Sequence, residues 1–163
     1  MKRPIVLIGP MGVGKTTIGK KLSRAIGLDF LDTDKEIVRE HGPIAKIFSV
    51  QGEDHFRNLE SQVLIQCIAK AGVVATGGGV VLREENQKAL RDCFVVYLST
   101  NGRHIGARLL STKRPLLKNG VSDWRRIYEE RKPLYEKVAD FEVATNDKSL
   151  AEIVSQIVAR SNA

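Results

Sequence analysis

The sequence has few of the residues that metal-binding and redox-active proteins use. It contains only two cysteines, Cys67 and Cys93, without CxxC spacing, and its three histidines are scattered along the chain. A zinc site needs closely spaced cysteine and histidine ligands, so none is predicted here. We interpret both cysteines as packing residues rather than redox groups.

Long apolar runs are also missing. No run approaches the ~20 residues that a membrane-spanning helix needs, and residues 1–4 lead into a short strand-like run rather than a signal sequence. No internal repeat, low-complexity tract or linker is present. At 163 residues and 42% hydrophobic content, we expect one domain that acts as a cytoplasmic monomer without a membrane partner.

The chain has an excess of basic residues, with a net charge of +7. A positive field attracts nucleic acid as readily as small anions. These basic residues are dispersed, without a block of five or six, and no aromatic residues interleave with a basic run. We therefore expect small anionic ligands and a solvated surface to explain the charge, and no nucleic-acid partner.

Apolar runs bounded by glycine and charged residues alternate with segments of helical period. This alternation is typical of successive βαβ units and predicts an α/β fold with a mainly parallel sheet. The predicted strands are 5–8, 29–31, 73–76, 94–98 and 141–144. The predicted helices lie near 15–26, 35–40, 54–70, 103–110, 123–138 and 150–160. Segment 42–52 is mixed, and segment 111–122 is polar and basic, which favours a mobile lid.

The Walker A pattern follows the first predicted strand. Residues 9–16 read GPMGVGKT and precede a helical segment, which is the context this motif requires. Glycines let backbone N–H groups surround phosphate oxygens, and the helix beginning at Lys15 adds its positive end. The predicted ATP-binding residues here are Gly12, Val13, Gly14, Lys15, Thr16 and Thr17. A plain glycine-rich turn is the alternative, and the flanking strand and helix disfavour it.

Two carboxylates, Asp32 and Asp34, follow the second predicted strand. Side chains two residues apart in an extended chain point to the same side, so both are expected to face one site. One carboxylate could orient Mg²⁺ through water, and the other could hydrogen-bond or deprotonate an acceptor hydroxyl. The alternative is that Asp34 caps the helix predicted to begin at Lys35.

Further motifs occur in order along the chain: DTD at 32–34, FRNLE at 56–60, TGGG at 76–79, RPLL at 114–117 and ERKPLY at 130–135. Together with the Walker A pattern, they resemble the shikimate kinase family of P-loop kinases over residues 5–146. The resemblance implies a three-layer fold with a five-stranded parallel sheet flanked by helices. It also implies a single domain spanning 1–163, with a helical substrate-binding segment at 33–60 and the lid at 111–122.

The resemblance assigns Arg57 and Arg131 to the shikimate carboxylate, a role that the planar guanidinium fork suits. The alternative is structural: Arg57 could pair with Glu60 along its helix, and Arg131 with a neighbouring acid. Asp34 matches the residue that binds the ring hydroxyls and is the candidate base. Gly78 and Gly79 match glycines whose backbone lies against the substrate, where a Cβ would obstruct the approach.

The remaining implied roles concern ATP and Mg²⁺. Thr16 and Asp32 match the magnesium environment, and Arg114 matches the lid arginine that neutralises charge during transfer. Arg108 resembles the arginine near the adenine, and Asn146 lies in the loop on its other side. One departure stands out: Pro43 occupies a position where the family more often has a small hydroxyl residue.

The implied reaction is transfer of the ATP γ-phosphoryl group to the 3-hydroxyl of shikimate, in the biosynthesis of chorismate and aromatic amino acids. Lys15, Asp34 and Arg114 are the implied catalytic residues. Two rivals stay open at this point. One is another small-molecule P-loop kinase such as a gluconate kinase, and the other is a nucleotide switch or nucleic-acid-stimulated ATPase.

Overall fold

The computed structural model of the protein describes residues 2–109 and 115–162. The strands of these residues form one sheet in the order β2-β3-β1-β4-β5, and every neighbouring pair is parallel. Their bounds are β1 (Ile5–Ile8), β2 (Phe30–Asp32), β3 (Val73–Ala75), β4 (Phe94–Ser99) and β5 (Phe141–Ala144). In a parallel sheet all carboxyl ends lie along one edge, where ligands bind in folds of this kind.

Helices cover both faces of the sheet. They are α1 (Lys15–Ile26), α2 (Thr33–His41), α3 (Ile44–Gln51), α4 (Glu53–Lys70), α5 (Glu84–Leu90), α6 (Ile105–Leu109), α7 (Val121–Val138) and α8 (Leu150–Ser161), with a 3₁₀ turn at Val80–Leu82. Within the described part of the chain, no helix combines the length and the apolar character that crossing a membrane requires.

The sheet separates two apolar cores. Ile5 and Leu7 of β1 pack with residues of α1 and α8, whereas Val6 and Ile8 pack with residues of α4 and α7. Successive side chains of a strand point to opposite faces, so a central strand covered on both sides needs an uninterrupted apolar run. The three-layer α/β architecture expected from the sequence is therefore confirmed.

Helix α2 begins earlier than the sequence pattern predicts. Asp32 is its N-cap, since the Asp32 Oδ1 atom accepts a hydrogen bond of 3.1 Å from the Lys35 N–H, and Thr33 and Asp34 already lie in the first turn. The prediction that Asp34 could cap this helix is wrong. The prediction that Asp32 and Asp34 share one side of an extended chain is also wrong, because the chain turns into a helix between them.

Two segments without a predicted element contain helices. The mixed segment 42–52 holds α3, which Gly42 and Gly52 bracket with φ angles of 89° and 87°. These left-handed glycines let the chain reverse direction around a helix of only eight residues. The 3₁₀ turn Val80–Leu82 and helix α5 follow β3, and both are too short for a clear helical period.

Candidate active site

A cleft of about 1210 Å³ opens at the carboxyl ends of β1, β2 and β3. Nearly all of the residues selected from the sequence line it: Gly12, Val13, Gly14, Lys15, Thr16, Thr17, Asp32, Asp34, Arg57, Gly78, Gly79, Arg108, Arg131 and Asn146. Arg114 lies outside the described residues. Motifs separated by more than a hundred positions in the sequence thus converge on one cavity.

The Walker A loop joins β1 to α1 at one end of the cleft. Gly12 and Gly14 have φ angles of 79° and 104°, which L-residues with side chains rarely adopt. Helix α1 begins at Lys15, so the amides of its first turn face the cleft with the positive end of the helix dipole. The Lys15 Nζ atom donates to the carbonyl oxygens of Gly9 at 2.5 Å and Pro10 at 2.9 Å. The loop therefore presents amides and one ammonium group to an anion.

A hydroxyl and a carboxylate meet beside this loop. The Thr16 hydroxyl donates a hydrogen bond to Asp32 Oδ2, while the other carboxylate oxygen caps α2. Oxygen ligands of these two kinds suit Mg²⁺, which binds one or two protein groups together with substrate phosphates. The donor set at the end of β2 therefore fits a nucleotide-bound magnesium ion.

Two arginines reach the cleft from different helices. Arg57 of α4 and Arg131 of α7 are each only 6% exposed. Arg57 Nη1 lies 2.9 Å from Glu60 Oε1, and Arg57 Nη2 lies 3.4 Å from Glu53 Oε2. The predicted alternative, an ion pair between Arg57 and Glu60, is thus confirmed. The same side chain also lines the cleft.

Arg131 differs from Arg57 in its surroundings. Within residues 2–109 and 115–162, no ion pair of Arg131 is found, so the predicted alternative of a neighbouring acid has no support there. Burial lowers the pKa of the Arg131 guanidinium, and the positive charge of Arg57 acts in the same direction. The buried carboxylate of Glu60, which is 1% exposed, pairs with Arg57 and acts on Arg131 only through its charge. This part of the cleft has an excess of buried positive charge that an anionic ligand would balance.

The glycine-rich loop after β3 lies between these two arginines. A Cβ atom at Gly79 would overlap the Arg57 guanidinium, and a Cβ atom at Gly78 would lie 3.4 Å from Arg131 Nη1. Glycine is therefore required at position 79, whereas at position 78 a Cβ atom would make only tight contacts, with Met11 Cγ at 3.3 Å nearest. The loop offers main-chain N–H and C=O groups at the place where the buried positive charge is concentrated.

Asp34 lines the same cleft as the phosphate loop and the two arginines. Its side chain is half-buried in the first turn of α2. A Cβ atom at Gly77 would lie only 2.8 Å from Asp34 Oδ1, so the glycine loop also leaves room for this carboxylate. Although Asp32 and Asp34 are not related as two strand residues, both face the same cavity.

The region predicted to lie near the adenine is also present. Arg108 Nη1 donates to the Gly12 carbonyl oxygen at 2.8 Å, which places the arginine against the outside of the Walker A loop. Asn146 Oδ1 accepts from the Asn101 N–H at 2.6 Å and joins the loops after β4 and β5. Both residues line the cleft at its nucleotide end.

Sequence reasoning missed two residues of α7 that contact the site loops. The Trp124 Nε1 atom donates to the Met11 carbonyl oxygen at 2.7 Å, and the Tyr135 hydroxyl donates to the Gly78 carbonyl oxygen at 2.5 Å. Both share a helix face with Arg131, since spacings of four and seven residues return to the same side of a helix. This helical spacing could have indicated that Trp124 and Tyr135 lie near Arg131. It could not have shown that they bond to backbone carbonyls of the site loops.

Comparison with known proteins gives a consistent result. A model of the shikimate kinase family matches residues 11–162. A shikimate kinase from Psychromonas ingrahamii is 43% identical over 166 residues, which cover 97% of this chain and 96% of that protein. The solved shikimate kinase from Acinetobacter baumannii, in complex with shikimate, superposes with a TM-score of 0.91 at 36% identity and covers 97% of this chain and 92% of that chain.

A gluconokinase from Sinorhizobium meliloti has a related structure. Its TM-score is 0.66 at 18% identity, with 99% of this chain and 92% of that chain covered. At this level of identity the similarity concerns the fold alone. A shared fold does not decide which hydroxy acid is bound, so the residues around the acceptor have to decide it.

Proposed function

Since this chain belongs to the shikimate kinase family, we propose that it transfers the γ-phosphoryl group of ATP to the 3-hydroxyl of shikimate. The chain is an ATP-dependent kinase of that family, and the product, shikimate 3-phosphate, leads to chorismate and the aromatic amino acids. The observation that carries the proposal is the pair of buried arginines that line the cleft, of which Arg57 pairs with the buried Glu60 and Arg131 has no ion pair within the described residues.

The acid group of the acceptor binds where this positive charge is in excess. Arg57 pairs with Glu60 at 2.9 Å and more weakly with the half-exposed Glu53 at 3.4 Å, whereas no ion pair of Arg131 is found within the described residues. A second carboxylate would therefore pair with the Arg131 guanidinium and compete with Glu53 for Arg57. A planar carboxylate accepts parallel hydrogen bonds from such forks. The backbone of Gly78 and Gly79 lies against the ligand from the other side. A neutral polyol would leave the buried charge unbalanced and would be rejected.

Phosphoryl transfer needs the acceptor hydroxyl and the γ-phosphate in line, and the protein contributes positioning and charge stabilisation. Asp34 lines the cleft together with the Walker A loop and the two arginines, and we assign it the role of orienting or deprotonating the 3-hydroxyl. Lys15 and the first-turn amides of α1 stabilise the charge on the phosphates. Arg108 lies at the nucleotide end, and Arg114 of the lid neutralises charge on the transferring group.

Thr16 and Asp32 are the residues that would hold Mg²⁺. When bound, the ion supplies neutralisation of charge on the β- and γ-phosphates of ATP. Thr16 would contribute its hydroxyl, and Asp32, which accepts a hydrogen bond from that hydroxyl, would act through water. Because Asp32 Oδ1 also accepts a hydrogen bond from the Lys35 N–H at the start of α2, the direction of the Asp32 side chain is fixed.

Replacing Thr16 by valine removes this hydroxyl while keeping the shape of the side chain. We expect the Mg²⁺ concentration for half-maximal activity to rise by roughly tenfold, while binding of ATP in the absence of Mg²⁺ changes little. The matched control is Ser23→Ala on the same helix, whose hydroxyl donates to the Lys20 carbonyl oxygen instead. Equal Mg²⁺ dependence in Thr16→Val and the wild type would remove Thr16 from the metal site.

We also propose which segments of the chain bind the acceptor and close the site. Residues 33–60 form the acceptor-binding segment and residues 111–122 the lid, both within one P-loop kinase domain. We propose that the protein acts as a monomer. Because the reaction consumes ATP, we place the enzyme in the cytoplasm.

The function is tested by coupling ADP release to a dehydrogenase assay with shikimate, with gluconate and without acceptor. ADP release is expected with shikimate and to remain at the background rate with gluconate, because gluconate lacks the rigid ring that holds a hydroxyl beside Asp34. RNA and single-stranded DNA are added in separate reactions as a check on the nucleic-acid alternative. Release stimulated by gluconate or nucleic acid, and not by shikimate, would overturn the proposal.

A further inference from the structure

Helix α7 presents a row of aromatic side chains beneath the cleft. Trp124, Tyr128 and Tyr135 are buried on the face that also carries Arg131. Ring centroids are 5.2 Å apart for Trp124 and Tyr128 and 6.2 Å apart for Tyr128 and Tyr135. Tyr97 of β4 stacks on Tyr135 at 5.2 Å. The row is packed on both sides, so its polar atoms have fixed positions.

These polar atoms have different partners. The Tyr135 hydroxyl donates to the carbonyl oxygen of Gly78, in the glycine loop of the acceptor pocket. The hydroxyls of Tyr128 and Tyr97 pair with each other at 2.5 Å, inside the core. Burial raises the pKa of Tyr135, and the neighbouring Arg131 guanidinium acts in the opposite direction, so the hydroxyl faces both the Gly78 carbonyl and Arg131. The net pKa is raised, so the hydroxyl keeps its proton at neutral pH and remains a donor. Of these three tyrosines, Tyr135 is the one whose hydroxyl bonds to a loop of the acceptor pocket.

The bond to Gly78 also controls the next amide. The carbonyl of Gly78 and the N–H of Gly79 belong to one planar trans peptide group, in which they point in opposite directions. With its carbonyl held toward α7, this peptide directs the Gly79 N–H away from α7. Gly79 lines the cleft and packs against the Arg57 guanidinium. Within residues 2–109 and 115–162, no hydrogen bond from the Gly79 N–H is found.

A peptide between two glycines has little restraint of its own. Glycine adopts a wide range of φ and ψ angles, so the Gly78–Gly79 peptide could rotate at low cost if nothing held it. At Gly79 the absence of a Cβ atom is required by the close approach of the Arg57 guanidinium. An external hydrogen bond is therefore needed to fix the orientation that the glycines leave open.

We propose that Tyr135 is a positioning residue for the acceptor, whose hydroxyl fixes the Gly78–Gly79 peptide so that the Gly79 N–H donates to the carboxylate of the bound acid. This inference rests on the proposed function and deepens it. The acid is then held by two guanidinium groups and by one amide whose direction is set from outside the pocket. Such support of a binding group by a second layer of hydrogen bonds is a general feature of precise sites.

Tyr135→Phe removes the hydroxyl and keeps the ring in its stack. We expect the KM for shikimate to rise by roughly fivefold, since one hydrogen bond that orients a ligand contact is lost. The KM for ATP and kcat are expected to stay within about twofold of the wild type, because the Walker A loop is untouched. Tyr97→Phe is the matched control, since it also removes a buried hydroxyl from the same ring stack but leaves the glycine loop alone.

Comparing Tyr135→Phe with Tyr97→Phe distinguishes a positioning role of the Tyr135 hydroxyl from a general contribution to stability. Thermal unfolding of both variants measures the cost of the lost hydroxyl, and only Tyr135→Phe is expected to change the KM for shikimate. An unchanged shikimate KM in Tyr135→Phe, or an equal rise in Tyr97→Phe, would overturn the inference. If the wild type fails to phosphorylate shikimate at all, the proposed function itself fails.

A second measurement on the wild-type protein needs no variant. In an ¹H–¹⁵N spectrum with assigned backbone amides, titration with shikimate is expected to move the Gly79 amide proton downfield, as a new hydrogen bond to a carboxylate forms. The Gly72 amide, remote from the cleft at the amino end of β3, serves as the internal reference. A Gly79 resonance that shifts no more than that of Gly72 at saturating shikimate would overturn the inference, whatever the behaviour of the variants.

Discussion

Replacing Arg131 by methionine is expected to raise the KM for shikimate by roughly a hundredfold, equivalent to about 3 kcal/mol, with the KM for ATP within about twofold of the wild type. Methionine fills much of the space of the arginine stem but provides neither charge nor donors. The carboxylate of shikimate would then enter a buried pocket in which only Arg57 could pair with it. Arg57 already forms an ion pair with Glu60.

Arg131 is a better choice than Arg57 for this experiment because the two arginines differ in their other partners. Loss of Arg57 would leave the buried Glu60 carboxylate without its partner, and an unpaired buried charge destabilises a protein by several kcal/mol. No ion pair of Arg131 is found in the described part of the chain, so its removal leaves no such acid stranded. Burial even lowers the pKa of Arg131, which indicates that its charge is costly in the unliganded pocket.

Lys132→Met is the matched control for Arg131→Met. It removes a positive charge at the next position of α7, where the side chain is exposed. The control therefore reports the effect of net charge and of methionine in this helix without touching the cleft. If Arg131→Met left the KM for shikimate unchanged, or if Lys132→Met raised it equally, Arg131 would not be a carboxylate ligand.

Asp34→Asn is expected to lower kcat by about a hundredfold or more, with ATP affinity retained. Asparagine keeps the size of the side chain and can still hydrogen-bond a hydroxyl, but it cannot accept the proton that leaves the acceptor. ATP affinity is retained because the contacts of the nucleotide phosphates belong to the Walker A loop and α1. Steady-state kinetics with both substrates varied would separate the two effects.

The size of the change in kcat distinguishes two roles for Asp34. A loose transition state needs little base assistance, so pure orientation of the hydroxyl predicts a smaller decrease, on the order of tenfold. Glu36→Gln, in the same first turn of α2 but paired with Arg39 outside the cleft, is the control. A near-normal kcat for Asp34→Asn would contradict both roles.

The nucleotide end of the site was the part that the sequence determined best. A buried strand, a glycine-rich turn and an amphipathic helix follow one another without interruption from Ile5 to Ile26, so local pattern and tertiary position coincide. The bounds of α1 were predicted to the residue. The start of α2 was not, because whether Asp32 or Asp34 caps the helix depends on how β2 ends at the sheet edge.

The acceptor-binding part of the site could be predicted from the sequence only in part. Arg57 and Arg131 were selected through the family resemblance, since composition alone favoured ordinary ion pairs, and Arg57 does make one. Helix α3 was missed because two glycines and a proline obscure its short period. Trp124 and Tyr135 were missed because their partners are backbone carbonyls of distant loops, which no side-chain pattern specifies.

The most direct test of the account is a crystal structure of the protein with shikimate and a non-hydrolysable ATP analogue. We predict that the shikimate carboxylate lies within hydrogen-bond distance of Arg57 and Arg131, and that its 3-hydroxyl lies between Asp34 and the γ-phosphorus. An acid bound with its carboxylate away from both guanidinium groups, or with its 3-hydroxyl out of line with the γ-phosphate, would contradict it.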